Sequence, residues 1–185
     1  SSTLWSTSAT NKGTINATGV VTGVTGGSTN ITYTVTDSKG CVSTASAVKT
    51  ITVNALPVAG TITGASEVCV GLTTPLTTGT ITGGSGTISS TLWSTSATNK
   101  GTINATGVVT GVEGGTTSIT YTVTDSKGCV STASAVKLIT VNQLPAKPTL
   151  TSQAICEGQT ATITAPSGVY TYTWTAPTGV ATSTT

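Results

Sequence analysis

The sequence of 185 residues contains no histidine, phenylalanine or methionine, and only 6% of its residues are charged. Ordinary soluble domains carry roughly 25% charged residues. Without histidine, the chain lacks the commonest general base, and its five acidic residues are scattered along the sequence rather than clustered as calcium ligands are. These absences predict a protein that is not an enzyme and that holds no metal or cofactor.

Two further absences exclude other classes of function. The formal net charge is only +2 and no basic cluster is present, so nucleic acid is not an expected partner. No run of 18 apolar residues occurs, so no segment is predicted to span a membrane. In place of charged residues the sequence is rich in threonine, serine, glycine, valine and alanine. Threonine and valine are β-branched, and β-branched residues suit pleated strands. We therefore expect an all-β protein.

An internal repeat dominates what is present. Residues 1–57 recur at residues 89–145, a period of 88 residues, which is about the size of one small β-sandwich domain. The two copies differ at five positions: Thr25/Glu113, Ser28/Thr116, Asn30/Ser118, Thr50/Leu138 and Ala55/Gln143. A copied domain adds length or valency, whereas a catalytic site needs only one copy.

The phase of the repeat predicts three domains. The stretch 58–88 has no counterpart ahead of Ser1, so we expect 1–57 to be a partial repeat whose N-terminal strands are missing. Residues 58–145 form one complete repeat, and residues 146–185 begin a third, divergent one. A Leu-Pro pair closes each copy, at Pro57 and Pro145. Proline stiffens a linker, so we expect short, semi-rigid joints between domains in a window cut from a longer chain.

Alternation of apolar and polar residues predicts a half-buried strand at 119–124, followed by a turn at Asp125–Gly128. Short strands are expected at 102–105 and 107–112. Residues 130–141 read as one long strand with a bulge near Lys137. The residues expected to face inward on that strand are Ala133, Ala135, Leu138 and Ile139.

Four cysteines occur at regular places in the repeat: Cys41, Cys69, Cys129 and Cys156. The simplest pairing joins Cys69 to Cys129 inside the complete unit, with Cys41 to Cys69 across the linker as the alternative. A Cys69–Cys129 disulfide would close a loop of 60 residues, worth about 4 kcal/mol in the chain-entropy model. It would also imply an oxidising, extracellular setting.

The aromatic residues are the candidates for ligand contact. Trp5, Trp93 and Trp174 are potential stacking platforms for sugars, although core packing is the commoner use of a lone tryptophan in a sandwich. Tyr170, Tyr172 and Trp174 lie at every second position, so they would share one face of a strand. They form a candidate stacking surface, with core or inter-domain packing as the alternative.

Several phrases together resemble a known family. The stretches 93–98, 103–112 and 119–123 resemble the bacterial Ig-like domain of group 2. The phrase 121–129, the Leu-Pro linkers and the opening at 61–69 resemble repeats of giant surface proteins from Bacteroidetes. These proteins include gliding-motility adhesins and other cargo of the type IX secretion system. Residues 147–185 resemble a related Ig-like or PKD-like repeat.

This resemblance implies tandem Ig-like β-sandwich domains arranged end to end on the outer cell surface. The implied function is an extended stalk in adhesion or gliding. The implied partners are neighbouring repeats of the same chain, the type IX or gliding machinery, and surface polysaccharide. The alternatives are a carbohydrate- or surface-binding module that acts by avidity, or an accessory region of a secreted enzyme. The family carries no catalytic residues to transfer.

Overall fold

A computed structural model describes residues 2–165 together with Thr171 and Thr173. The chain divides into two compact units, Ser1–Leu144 and Pro145–Thr185. In the second unit, residues 145–165 contain no strand. They include one turn, at 157–158, in which the Gln159 N–H donates to the Cys156 carbonyl at 3.0 Å. The prediction that residues 146–185 begin a third repeat stays a prediction.

The first unit contains two sets of strands that pair only among themselves within the described residues. Repeat 1 (residues 2–54) forms a three-stranded sheet in the order β1-β4-β5 and a two-stranded sheet β2-β3. All pairs are antiparallel. Its strands are β1 (Ser2–Thr7), β2 (Gly13–Ile15), β3 (Val21–Gly23), β4 (Gly27–Thr36) and β5 (Lys49–Val53).

Repeat 2 (residues 57–144) is a fuller sandwich of two four-stranded sheets, with orders β11-β14-β15-β8 and β12-β13-β9-β7. A small ribbon β10-β6 adjoins them. Its strands are β6 (Pro57–Val58), β7 (Ile62–Gly64), β8 (Glu67–Cys69), β9 (Thr73–Thr78), β10 (Thr82–Gly83), β11 (Ile88–Thr95), β12 (Gly101–Ile103), β13 (Val108–Gly111), β14 (Gly115–Asp125) and β15 (Lys137–Asn142). The predicted all-β class is confirmed.

The core of repeat 2 lies between these two sheets. Alternate residues of β14 point inward, and Ile119, Tyr121 and Val123 are fully buried. The predicted strand at 119–124 is therefore confirmed, and its period of two is the reason one face is apolar. The remaining core residues come from both sheets: Ile62, Val68, Leu76, Val109, Ile139 and Val141.

The predicted turn after β14 is confirmed, and a second turn of the same kind lies between β12 and β13. Asn104 accepts hydrogen bonds at Oδ1 from the backbone N–H groups of Thr106 and Val108, at 3.0 and 2.9 Å, in the turn between β12 and β13. Gly107 supplies the positive φ of +84° that this turn needs. The turn after β14 is closed in the same way by Asp125, with Gly128 at φ +78°.

The long strand predicted at 130–141 is wrong in its first half. Val130 makes an isolated bridge to Thr124, and strand structure resumes only at Lys137. Between them, the hydroxyl groups of Ser131 and Ser134 accept from the backbone N–H groups of Val123 and Tyr121, each at 3.0 Å. Side-chain oxygens thus take the places of ladder carbonyls, so the segment needs no regular strand.

The inward-facing residues predicted on that segment are correct only in part. Ile139 is fully buried, whereas Leu138 is 56% exposed and Ala133 and Ala135 are exposed. Because 131–136 is not a strand, its residues do not alternate between the two faces of the sheet.

A buried hydroxyl network supports each sandwich. Thr117 is buried, and its hydroxyl lies 2.7 Å from that of Thr95 while it accepts from the Ala97 N–H at 3.1 Å. Thr7 and Thr29 repeat the pair at 2.7 Å in repeat 1. Buried hydroxyls are tolerated because they are paired in this way.

The near-identical repeats differ in burial. Tyr121 and Val123 are fully buried, whereas their counterparts Tyr33 and Val35 are 40% and 42% exposed. In repeat 2, the segment 61–78 covers this face with strands β7, β8 and β9. No strand of the described residues covers it in repeat 1.

Candidate functional site: the joint between the repeats

The segment that links the two repeats is held by hydrogen bonds to repeat 2. After β5 the chain passes through Asn54–Leu56 into β6, which pairs antiparallel with β10. The Leu56 carbonyl accepts from the Gly84 N–H at 3.1 Å, and the Ala55 N–H donates to the Ser85 hydroxyl at 2.8 Å. Pro57 is fully buried. The linker is therefore an ordered joint and not a free tether.

Asp125 fixes the opposite side of this joint. Its side chain is buried, and Oδ1 accepts from the backbone N–H groups of Lys127 at 2.9 Å and Cys129 at 3.0 Å. Oδ2 accepts from the Ser85 N–H at 3.2 Å. Through Ser85, one carboxylate thus connects the turn after β14 to the residue that holds the linker.

The surroundings of Asp125 also set its charge state. Burial by itself raises the pKa of the Asp125 carboxyl, but backbone N–H donors from Cys129, Lys127, Ser85 and Gly86 together lower that pKa below its ordinary value. Asp125 is therefore a carboxylate at neutral pH, and the ionised form is the one that accepts these hydrogen bonds.

Repeat 1 contains the same turn without the joint. Asp37 accepts at Oδ1 from the backbone N–H groups of Lys39 and Cys41, both at 2.8 Å, and its side chain is exposed. The counterpart of Ser85 would lie ahead of Ser1, so the given sequence contains no residue that could make the equivalent bond to Asp37. Both aspartates form the turn, and in repeat 2 Asp125 also accepts from the Ser85 N–H.

The structure does not form the predicted Cys69–Cys129 disulfide, and the four cysteines of the described residues are unpaired in it. Cys69 lies opposite Asn142, at the end of the sheet where β14 begins. The Cys129 carbonyl accepts from the Asp125 N–H, at the end where β14 finishes. Ten strand steps of about 3.3 Å separate these ends, whereas disulfide-bonded Cα atoms lie within about 7 Å.

The tryptophans of the two repeats lie at the edge of the core. The Trp93 ring lies 5.0 Å from the Tyr121 ring, tilted at 45°, and Trp5 and Tyr33 repeat this geometry at 5.0 Å and 46°. Trp93 is half-buried and packs against the core of repeat 2. Tilted aromatic pairs stabilise cores and interfaces. Trp93 therefore serves packing, as the core interpretation predicts.

The other candidate stacking surface cannot be placed. Tyr170, Tyr172 and Trp174 lie outside the described residues.

The described residues bring no reactive groups together. They contain no cluster of three or more histidine, cysteine, aspartate or glutamate residues that could hold a metal ion. A cleft of about 530 Å³ beside β8 is lined by threonine, serine, lysine and aliphatic side chains with the single carboxylate of Glu67. The described part of the chain also contains no helix that is long and apolar enough to cross a membrane.

Residues 61–133 match the family model described as bacterial Ig-like domain (group 2). The fold of the repeats is Ig-like. None of the curated proteins compared with the chain matches it.

Several solved structures are similar to the chain. The fibronectin(III)-like modules of Clostridium thermocellum CbhA share 19% identity, with 67% of each chain covered and a TM-score of 0.35. Domains 1–6 of the surface layer protein SbsC share 16% identity over 80% of this chain and 21% of that one, with a TM-score of 0.31. The chain thus spans about a fifth of that SbsC structure's length.

The sequence around Asp125 predicts only a turn, because the same Asp-Ser-Lys-Gly sequence occurs at Asp37 and neither shows the contact with Ser85. The available signal was the run Gly83-Gly84-Ser85-Gly86, since consecutive glycines mark places where backbones approach closely. Gly84 has a φ of +80° and lies against Pro57 and the Asp125 carboxylate.

Proposed function

We propose that this chain is a structural repeat region of a long secreted cell-surface protein, in which Ig-like sandwiches act as spacers that hold distance between other parts of the protein. The ordered joint carries the proposal. A free linker would let neighbouring repeats move independently, whereas the bonds of Ala55, Leu56 and Asp125 to the Gly84-Ser85 turn constrain the linker of this chain.

The low charge of the chain supports the same role. With 6% charged residues, neighbouring repeats repel one another little, so sandwiches can follow one another closely along the chain. We further propose, on the resemblance of phrases such as 121–129 to Bacteroidetes surface repeats, that the parent protein is an adhesin or gliding protein exported by type IX secretion. Its partners would then be neighbouring repeats, the export or gliding machinery, and surface polysaccharide.

Small-angle X-ray scattering tests the spacer role. The full chain is compared with a variant that carries Gly-Ser-Gly-Ser inserted between Leu56 and Pro57. The ordered joint predicts a narrower distribution of interatomic distances for the native chain than for the variant, because the insertion frees the linker. Identical distributions would contradict the proposal, since the native linker would then be as loose as a flexible one.

A further inference from the structure

The chain enters and leaves repeat 2 at opposite ends of the sandwich. Gly84 lies against both Pro57 and the Asp125 carboxylate, so the chain enters at the end where β14 finishes. β15 finishes at the other end, where Val141 pairs with Gly115, the first residue of β14. Ten strand steps of about 3.3 Å separate these two ends. Tension along the chain therefore pulls the two ends of repeat 2 apart.

A short parallel strand pair joins the segment that enters repeat 2 to the strand that leaves it. The pairs between β8 and β15 are Glu67 with Thr140, Val68 with Val141, and Cys69 with Asn142. Backbone bonds extend this ladder on both sides. The Thr140 N–H donates to the Ser66 carbonyl at 2.8 Å, at the beginning of β8. The Val70 N–H donates to the Asn142 carbonyl at 3.0 Å, just after its end.

The directions of the two strands decide how tension loads these hydrogen bonds. β15 runs toward the exit end, and β8 runs the same way because the pair is parallel. Tension that arrives through Pro57 reaches β8 from its N-terminal side and pulls it toward the entry end. Tension beyond Asn142 pulls β15 toward the exit end. The strands are therefore drawn past each other, so the bonds that cross between them are loaded together and not one after another.

Both routes by which repeat 2 can extend must separate this pair. If the entering segment leaves the sandwich first, β8 has to detach from β15. If β15 leaves first, it has to detach from β8 on one side and from β14 on the other, where five residue pairs hold it. The resistance of repeat 2 to tension therefore depends on β8 and β15 whichever strand moves first.

Side chains reinforce the pair on both faces of the sheet. Val68 and Val141 point into the core and are 7% and 2% exposed. Separation of the strands would bring these valines into water, which is unfavourable. On the outer face, Asn142 Nδ2 donates to the Glu67 carboxylate at 3.2 Å. The pair is thus held by backbone bonds, by core packing and by one polar side-chain contact.

We propose that the β8–β15 pair is a mechanical clamp, through which repeat 2 bears tension along the chain in addition to holding distance. The proposal rests on the spacer role, because a spacer between other parts of a protein is pulled at both ends. The force that repeat 2 withstands is then set by this strand pair and not by the stability of the whole core.

Single-molecule force spectroscopy tests the clamp on the full chain, held by tags at its two ends in reducing buffer. At constant force, repeat 2 is expected to extend in a single step when the clamp opens. The 86 residues from 57 to 142 should add about 250–280 Å, at about 3.3–3.6 Å per residue less the folded length.

Two buried valines provide matched variants. Val68→Ala should raise the rate of unfolding at constant force at least about tenfold, because the strand that must leave loses two buried carbons. Val123 is also buried, but it lies on β14 toward the entry end. Val123→Ala should change that rate by less than about twofold, because its surroundings are still folded when the clamp opens. Equal acceleration by the two variants would overturn the proposal.

A backbone variant tests the same clamp without touching the core. Thr140→Pro removes the N–H that donates to the Ser66 carbonyl, so it is also expected to raise the rate of unfolding at constant force. An unchanged rate in both Val68→Ala and Thr140→Pro would overturn the proposal. Gradual extension of the native chain without a single step of the expected length would overturn it as well.

The variant with Gly-Ser-Gly-Ser inserted between Leu56 and Pro57 separates the clamp from the spacer role. A flexible insert transmits the same tension, so this variant is expected to unfold at the native rate under constant force. A faster rate would place the resistance in the joint and would contradict the clamp. The scattering comparison tests the joint alone, so the two proposals can fail independently.

Discussion

The two repeats provide a matched pair of valines that differ in burial and not in sequence context. Val123 is fully buried in repeat 2, and its counterpart Val35 is 42% exposed in repeat 1. Val→Ala removes two carbons, each worth about 0.8 kcal/mol when buried. Adding the cavity that remains, Val123→Ala should lower the free energy of unfolding of repeat 2 by about 2–3 kcal/mol. Val35→Ala should lower that of repeat 1 by under about 1 kcal/mol, because its site is already open to solvent.

Amide hydrogen exchange followed by NMR measures both effects in the full chain. The slowest amides of β14 report the opening of repeat 2, and those of β4 report the opening of repeat 1. Peptide-level mass spectrometry also separates the repeats at positions where they differ, such as Asn30 and Ser118. Equal losses for the two variants would refute the reasoning, since segment 61–78 would then not be what buries Val123.

Three further predictions follow from single residues. Because the pKa of Asp125 is lowered in the fold, its stabilising contribution is present above the ordinary carboxyl pKa of about 4 and is lost as the pH falls through the lowered value. The acid unfolding curve should flatten in Asp125→Asn more than in Asp37→Asn, and equal curves would contradict the account. Burial raises the pKa of Tyr121, although the Gly60 backbone acts to lower it. The buried hydroxyl has no hydrogen-bond partner of ordinary geometry among the described residues. Tyr121→Phe should therefore leave thermal stability unchanged or raise it by up to about 1 kcal/mol, and a clear loss would show that the hydroxyl is bonded. Gly111→Ala would bring a Cβ within 2.6 Å of a backbone carbonyl oxygen, whereas the Cβ of Gly23→Ala would lie 2.8 Å from a valine methyl group. Chemical denaturation should show that Gly111→Ala lowers the free energy of unfolding by about 1–3 kcal/mol and that Gly23→Ala lowers it by less.

The order of residues along the chain was sufficient to predict the central strand and the turn that follows it. Alternation at 119–124 predicts the central strand, and the Asp125–Gly128 turn follows from the side-chain chemistry of aspartate and the positive φ of glycine. The segment 131–136 shows where such reasoning fails. Ser131 and Ser134 replace ladder bonds with hydroxyl bonds, and their sequence looks like an ordinary strand.

Local pattern does not distinguish residues that are identical in both repeats, whereas the phase of the repeat does. Tyr33 and Tyr121 have the same neighbours along the chain, and their burial differs because segment 61–78, which covers Tyr121, has no counterpart within the given sequence ahead of Tyr33. Asp37 and Asp125 form the same turn, and only contact with Ser85 makes the second part of the joint. The regular spacing of the cysteines favoured a Cys69–Cys129 pair. Spacing along the chain does not show that the two residues lie at opposite ends of the sheet.

Residual dipolar couplings of the backbone N–H groups test the ordered joint most directly. Couplings from residues 2–54 and from residues 57–144 of the full chain are fitted separately to the structure. The account predicts one alignment tensor for both sets, with the same magnitude and orientation, because the linker is bonded to the Gly84-Ser85 turn. Two tensors of different magnitude would mean that the repeats reorient independently, and the proposed spacer would lose its structural basis.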